Sequence, residues 1–230
     1  HSLIRQIADA LERFDDVKSC RAIVLFAKGK AFCAGAQFSE DAEGQANYSL
    51  GSPAPLYDEA VRIFRTKKPI VAAIHGAAVG GGLGLALTAD FRIGCSESRF
   101  VANFTRLGFH PGFGLTVTLP ALIGKNNAEL MFYTSRRIKG EKALEIGLLN
   151  ELVPQSSVFQ TSMNLASEIA ECSPLGLLST RATVRGDLAD RIRRATKLEL
   201  KEQTWLRETE DFAEGVKAVA ERRAARFSGK

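Results

Sequence analysis

Apolar positions at the start of the chain recur every three or four residues: Leu3, Ile4, Ile7, Leu11 and Phe14 in "HSLIRQIADALERF" share one helical face, with Ser2 placed to cap it. The pattern then changes. "RAIVLFAKG" (21–29) is a short β-branched and apolar run closed by glycine, and "KPIVAAIHG" (68–76) is a second such run entered through a proline, so both predict buried strands. Between them, "GKAFCAGAQF" (29–38) predicts a loop. The stretch from Asp41 to Pro55, rich in Gly, Ser and Pro, predicts a surface loop of the kind that borders ligand sites, and "LYDEAVRIFRT" (56–66) predicts a helix. The glycine run "GAAVGGG" (76–82) leads into a helix ending near Leu87, and "DFRIGC" and "RFVAN" predict two further short strands. This alternation of strand, loop and helix implies a parallel sheet in an α/β fold.

From about Leu115 the periodicity is helical throughout: "LTVTLPALIG", "NAELMFYT", "GEKALEIGLL", Ser156 to Glu171, and a tail from Leu175 to Phe227. A C-terminal helical module follows, packed on its own core or on a neighbouring subunit. With 230 residues, 45% of them hydrophobic and 25% charged, the chain buries one sizeable core. Its longest apolar stretches, Pro69 to Ile74 and Leu83 to Leu87, fall far short of the roughly 20 residues that span a bilayer, and no secretory or transit segment is visible. Cys20, Cys33, Cys95 and Cys172 are scattered without a C-x-x-C pair, which points to a reducing, cytoplasmic compartment and to no metal site. The net charge is +5, with basic residues gathered late at Arg181, Arg185, Arg191, Arg193, Arg194, Lys197, Arg222, Arg223, Arg226 and Lys230. A solvated helix face explains this clustering more simply than a site for nucleic acid or another polyanion.

Two segments share one design. In "AFCAGA" (31–36) and in "GAAVGGG" (76–82), an apolar run passes into small residues. Small side chains admit another molecule close to the main chain, and glycine permits dihedrals that turn peptide N–H groups outward. A helix start adds N–H groups without intrahelical acceptors. If both segments end at the same sheet edge, two N–H groups converge on one oxygen and form an oxyanion hole. Neither G-x-x-x-x-G-K-[ST] nor G-x-G-x-x-G with a placed acidic residue is present, which removes the common nucleotide-binding loops.

"AFCAGAQF", then "KPIVAAIHGAAVGGGLGLALTADFRI", "LGFHPGFG" and "GLLNELVP" in that order, with "EGVKAVAERRAARFSGK" at the close, resemble the enoyl-CoA hydratase/isomerase (crotonase) superfamily. The resemblance implies a crotonase-like ββα spiral over residues 1–155, with a first β-hairpin that would precede residue 1. A helical trimerisation region over 156–230 would assemble a homotrimer or a dimer of trimers. It implies an acyl-CoA thioester substrate, with CoA part of the substrate and no separate cofactor. Carried over by position, the oxyanion donors are the backbone N–H groups of Ala36 and Gly81, each worth about 3 kcal/mol of transition-state stabilisation. Ala34, Gln37 and Phe38 would flank CoA, although the family usually has Asp where Gln37 stands, and Gly80, Gly84 and Phe104 would border the acyl group.

The departures matter as much as the matches. The two glutamates of the family's hydratases fall at Gly84 and Phe104, and the aspartate of its dienoyl-CoA isomerases falls at Gly112. Adding water across a double bond needs a base for the water and an acid for the α-carbon, which glycine and phenylalanine cannot supply. His110, close in sequence to the second lost glutamate, is the candidate acid/base. Arg106, His75, Cys33, Glu40, Asp41 and Glu59 are secondary candidates with simpler structural explanations. The leading expectation is therefore an acyl-CoA lyase or isomerase of this superfamily with a non-standard site. The alternatives are a decarboxylase or hydrolase using the same hole, aided by an apolar wall of Phe104, Phe109 and Phe113, and a non-catalytic protein binding CoA thioesters or RNA. A membrane association is not expected.

Overall fold

The computed structural model describes residues 2–35, 39–40, 46–47 and 54–230. Helix α1 (Ser2–Asp16) is followed by β1 (Ile23–Leu25), β2 (Ala31–Cys33), β3 (Ser39–Glu40), β4 (Ala46–Asn47), α2 (Ala54–Phe64), β5 (Ile70–Ile74), β6 (Ala77–Val79) and α3 (Gly81–Ala86). Then come β7 (Phe91–Gly94), β8 (Arg99–Val101), a single 3₁₀ turn (Thr105–Leu107), α4 (Leu115–Ile123), α5 (Lys125–Thr134), β9 (Ile138–Lys139), α6 (Gly140–Glu145) and β10 (Glu151–Leu152). Four helices close the chain: α7 (Val158–Glu171), α8 (Pro174–Arg185), α9 (Leu188–Leu206) and α10 (Glu210–Ala220).

The strands form two four-stranded sheets, ordered β1-β5-β7-β10 and β2-β6-β8-β9, and a small β3-β4 pair. The first sheet is parallel throughout, and the second is parallel except where β9 meets β8. The mixed α/β architecture expected from the sequence is present. Two stretches expected as loops carry short strands instead: Ala31–Cys33 and Ala77–Val79 pair with each other, Ala31 opposite Ala77. Three-residue strands of small residues carry too little alternation to be distinguished from a loop by periodicity.

β5 is buried at every position because α7 packs on it, with Val71 beside Ala166, while Ile70, Ala72 and Ile74 belong to the main core, which explains its unbroken apolar run. Helix α1 buries Ile4, Ala8 and Leu11, while Leu3 and Phe14 stay exposed, a narrower face than its periodicity suggests. Arg62 of α2 reaches back to Asp9 and Glu12 of α1 and clamps the pair from the solvent side. The C-terminal helices share the main core: Ile192 of α9 and Phe212 and Val216 of α10 are fully buried in it.

Two of the late basic residues are internal. Arg181 and Arg185 of α8 both bind Asp90, at 3.0 Å each, and Arg181 also donates to the Thr66 carbonyl. Asp90 in turn accepts the Ile70 N–H at 2.8 Å, so one carboxylate ties α8 to the entrance of β5. Neither arginine is available to a polyanion. Arg92, buried beside them, donates to the carbonyls of Leu148 and Ala89, and burial pushes its pKa down to about 10.

Asp90→Asn leaves two buried guanidinium groups without a counter-charge, and should lower stability by about 3–5 kcal/mol in urea unfolding. A loss below about 1 kcal/mol would mean that solvent screens the cluster as it does a surface pair.

Candidate functional site

Because β2 and β6 pair in parallel, the segments leaving them emerge at one edge and pack main chain on main chain. A Cβ on Gly82 would lie 2.0 Å from the Cys33 carbonyl oxygen. One on Gly35 would lie 2.6 Å from the Val79 oxygen and 3.8 Å from the Gly81 nitrogen. Glycine at these two positions is thus a condition of the close approach. The Gly80 N–H is taken by the Val101 carbonyl at 2.9 Å. Gly81 opens α3, so its N–H has no intrahelical acceptor, and a Cβ there would meet nothing within 4 Å. Its open side belongs to a cavity of about 220 Å³ lined also by Cys33, Ala34, Gly35 and Gly80. Ala36, Gln37 and Phe38 lie outside the described residues, as does most of the loop from Asp41 to Pro55.

The rest of the chamber is mostly apolar. Leu3 and Ile4 of α1, Leu56 of α2 and Leu107 contribute, and Phe104, Phe109 and Phe113 all line it, as the sequence implies. Among the described residues, no Asp or Glu reaches the wall. Phe104 is buried there, 3.8 Å at its ring tip from where a Gly80 Cβ would stand.

Gly84 requires a correction. It does not line the chamber, because Phe113 covers it so closely that a Cβ would lie 2.7 Å from the Phe113 Cβ and Cδ1. Phe113 sits in the left-handed backbone region, φ 63°, an uncommon state for an aromatic residue that its full burial holds in place.

His110 is also not brought to the wall. Its Nδ1 donates to the Pro111 carbonyl at 2.7 Å, and its own carbonyl accepts from Gln203. His75 donates through Nε2 to the Gly29 carbonyl at 2.9 Å, Arg106 is exposed, and Glu59 pairs with Arg62. Glu40 and Asp41 have no described side chains.

Sequence reasoning missed four polar residues of the wall: Tyr57, Asn103, Gln203 and Arg207. Tyr57 and Gln203 come from α2 and α9, and each occupies an ordinary core-facing position of an amphipathic helix, so no local signal marks them. The Tyr57 hydroxyl donates to Gln203 Oε1 at 2.6 Å, and Gln203 Nε2 donates to the His110 carbonyl at 2.8 Å. Gly112 makes room for both, since its Cβ would lie 2.0 Å from the Tyr57 oxygen and 2.6 Å from Gln203 Nε2. Burial raises the Tyr57 pKa well above its ordinary value, so the phenol stays protonated. Arg207 stands over the Phe109 ring at 5.3 Å.

Behind the wall, Glu199 caps α4: it accepts from the Gly114 N–H at 2.8 Å and from the Thr116 hydroxyl at 2.6 Å. Burial raises its pKa, against the opposing pull of those hydrogen bonds. This carboxylate positions the Gly112–Gly114 turn.

A model of the enoyl-CoA hydratase/isomerase family matches residues 1–230. Crotonyl-CoA hydratase of Syntrophomonas wolfei is 31% identical over 229 residues, covering 98% of this chain and 87% of that protein. Carnitinyl-CoA dehydratase of Salmonella typhi is 32% identical over 232 residues, covering 97% and 87%. The crystal structure of an enoyl-CoA hydratase/isomerase from Pseudoalteromonas atlantica superposes with a TM-score of 0.86 at 26% identity, over 99% of this chain and 89% of that one.

Two outcomes follow from the packing. Gly84→Ala forces a methyl group against the Phe113 ring and should cost about 1–3 kcal/mol in chemical unfolding. In a double-mutant cycle with Phe113→Gly, which removes the Cβ as well as the ring, that cost should largely disappear, and additive losses would contradict the contact. For Glu199, the raised native pKa means that the folded chain keeps a proton which the unfolded chain loses near pH 4.5. The stabilisation is therefore present below that pH and falls as pH rises through the native value. Thermal melts of wild type and Glu199→Gln across this range should show the wild type losing ground with rising pH; a constant difference would refute the shift.

Proposed function

The chain belongs to the enoyl-CoA hydratase/isomerase family, and on that premise we propose that it is an acyl-CoA-processing enzyme that polarises a thioester carbonyl without either hydratase carboxylate. The observation that carries this reading is the chamber: Gly81, whose N–H has no intrahelical acceptor, lines it, and no described carboxylate does. The thioester oxygen would accept from Gly81 and, by the family's pattern, from Ala36. Negative charge developing on that oxygen is then met by fixed donors, which require no reorganisation as the enolate forms.

Hydration fits this wall poorly. Gly84 is sealed behind Phe113, and Phe104 is buried, so neither position holds a group that activates water or protonates the α-carbon. The aromatic lining favours a second reading, decarboxylation of a malonyl-type thioester. There the bond from the α-carbon to the carboxylate breaks, carbon dioxide leaves, and the electron pair enters the enolate held at Gly81. A proton from water then completes the acyl-CoA. Phe104, Phe109 and Phe113 strip water from the leaving carboxylate and raise its energy relative to the enolate. Thioester hydrolysis uses the same donors and remains the alternative reaction. Assembly as a trimer or a dimer of trimers, and a cytoplasmic location, belong to the same proposal.

Steady-state assays with crotonyl-CoA and methylmalonyl-CoA separate the reactions. Turnover of crotonyl-CoA should fall at least about 100-fold below that of a two-carboxylate hydratase. Ordinary hydratase turnover would overturn the reading of positions 84 and 104. On whichever thioester turns over, Gly81→Pro deletes the donor at a position where proline suits a first helical residue, and should lower kcat by about 100- to 1000-fold. An unchanged rate would remove Gly81 from the oxyanion site.

A further inference from the structure

The second sheet delivers a third segment to the edge where Gly81 lies. β8 runs parallel to β6 with Val101 opposite Val79, and the Gly80 N–H binds the Val101 carbonyl at 2.9 Å. Two residues past that last pair on each strand, Gly81 and Asn103 leave the sheet side by side, and both line the chamber. The Asn103 carboxamide lies against the same backbone: its Oδ1 is 3.0 Å from where a Gly80 Cβ would stand, so the glycine leaves the space that the amide fills.

Asn103 is half-buried, and among the described residues its carboxamide makes no hydrogen bond, yet neither of its polar atoms is sealed from solvent. Tyr57 and Gln203, by contrast, are bonded to each other. No described residue dictates which end of the Asn103 amide faces the chamber, so a ligand sets it. A thioester oxygen only accepts and turns Nδ2 toward itself. The amide is neutral and acts without transferring a proton, and Phe104 beside it keeps the surroundings apolar, where a fixed dipole holds developing charge most strongly.

We infer that Asn103 is a catalytic residue whose Nδ2 donates to the thioester oxygen held at Gly81, adding a side-chain donor to the backbone donors of the oxyanion site. The inference rests on the acyl-CoA reading of the same chamber. As negative charge moves onto that oxygen the bond strengthens, so the donor lowers the barrier more than it tightens ground-state binding.

Infrared spectra of bound, carbonyl-labelled butyryl-CoA read the donors directly. The carbonyl stretch should fall in frequency on binding to the wild type and fall less in Asn103→Leu, which keeps the side chain's size without a donor. Asn103→Ala repeats the measurement without the larger apolar group, and thermal melting checks that each variant is folded. On whichever thioester turns over, both variants should lower kcat by about 100- to 1000-fold with KM changed by less than about threefold. In the unaltered protein, an asparagine Nδ2 proton resonance should move downfield with butyryl-CoA and stay in place with S-butyl-CoA, a thioether without the carbonyl, which reads the donor independently of any variant. A wild-type stretch retained by the folded variants, a raised KM at unchanged kcat, or the same amide resonances with both ligands would each overturn the inference. A wild type that does not bind butyryl-CoA would overturn the acyl-CoA reading itself, a distinct result from binding without a bond to Asn103.

Discussion

The structure depends on one close approach of backbone to backbone, where Gly82 lies under the Cys33 carbonyl and Gly35 lies against Val79. No residue with a side chain fits at either contact without moving main chain. The parallel pairing of β2 with β6 aims both segments at the same edge, and the glycines let them meet there. The open backbone at Gly81 exists because its neighbours on either side are occupied: Gly80 is bonded to Val101, and Gly82 is pressed on Cys33.

Everything around that edge serves to enclose it. Helix α2 brings Leu56 and Tyr57, α9 brings Gln203 and Arg207, and the segment from Asn103 to Phe113 supplies the aromatic wall. The buried carboxylates are used for construction. Asp90 locks α8 onto the core through two arginines, and Glu199 locks the turn before α4 through two N–H groups and a hydroxyl. Each carboxylate is thereby engaged away from the chamber, which leaves the chamber wall free of described acids and leaves its backbone, Tyr57, Asn103, Gln203 and Arg207 as its polar groups.

Phe113 shows how one ring closes a position of the backbone. It covers Gly84, and it does so from a left-handed backbone conformation between two glycines. The absence of an acid at position 84 and the presence of this ring are one packing solution, since neither a side chain at 84 nor a smaller residue at 113 would fill the same volume. Likewise, Gly112 and the Tyr57–Gln203 pair are complementary: the turn lacks a Cβ where the phenol and the amide stand.

Much of this was legible in the chain itself. The apolar run of β5, the amphipathic face of α2 and the change to helices after Leu115 are local patterns, because burial on one face or two leaves a period in the residues. The small residues of the two loops, and glycine at 84 and phenylalanine at 104, were equally plain. The short strands β2 and β6 were not, since three small residues carry no period. His110 looked like the natural acid/base because it lies near Phe104 in sequence, yet the fold spends its Nδ1 on Pro111 and leaves it off the wall. Tyr57 and Gln203, separated by 146 positions, carried no mark of their partnership. Residue type and spacing determined which elements form and which backbone can be approached. Tertiary structure alone decided which side chains share the chamber, because that depends on where distant helices dock, and docking leaves no period in either segment.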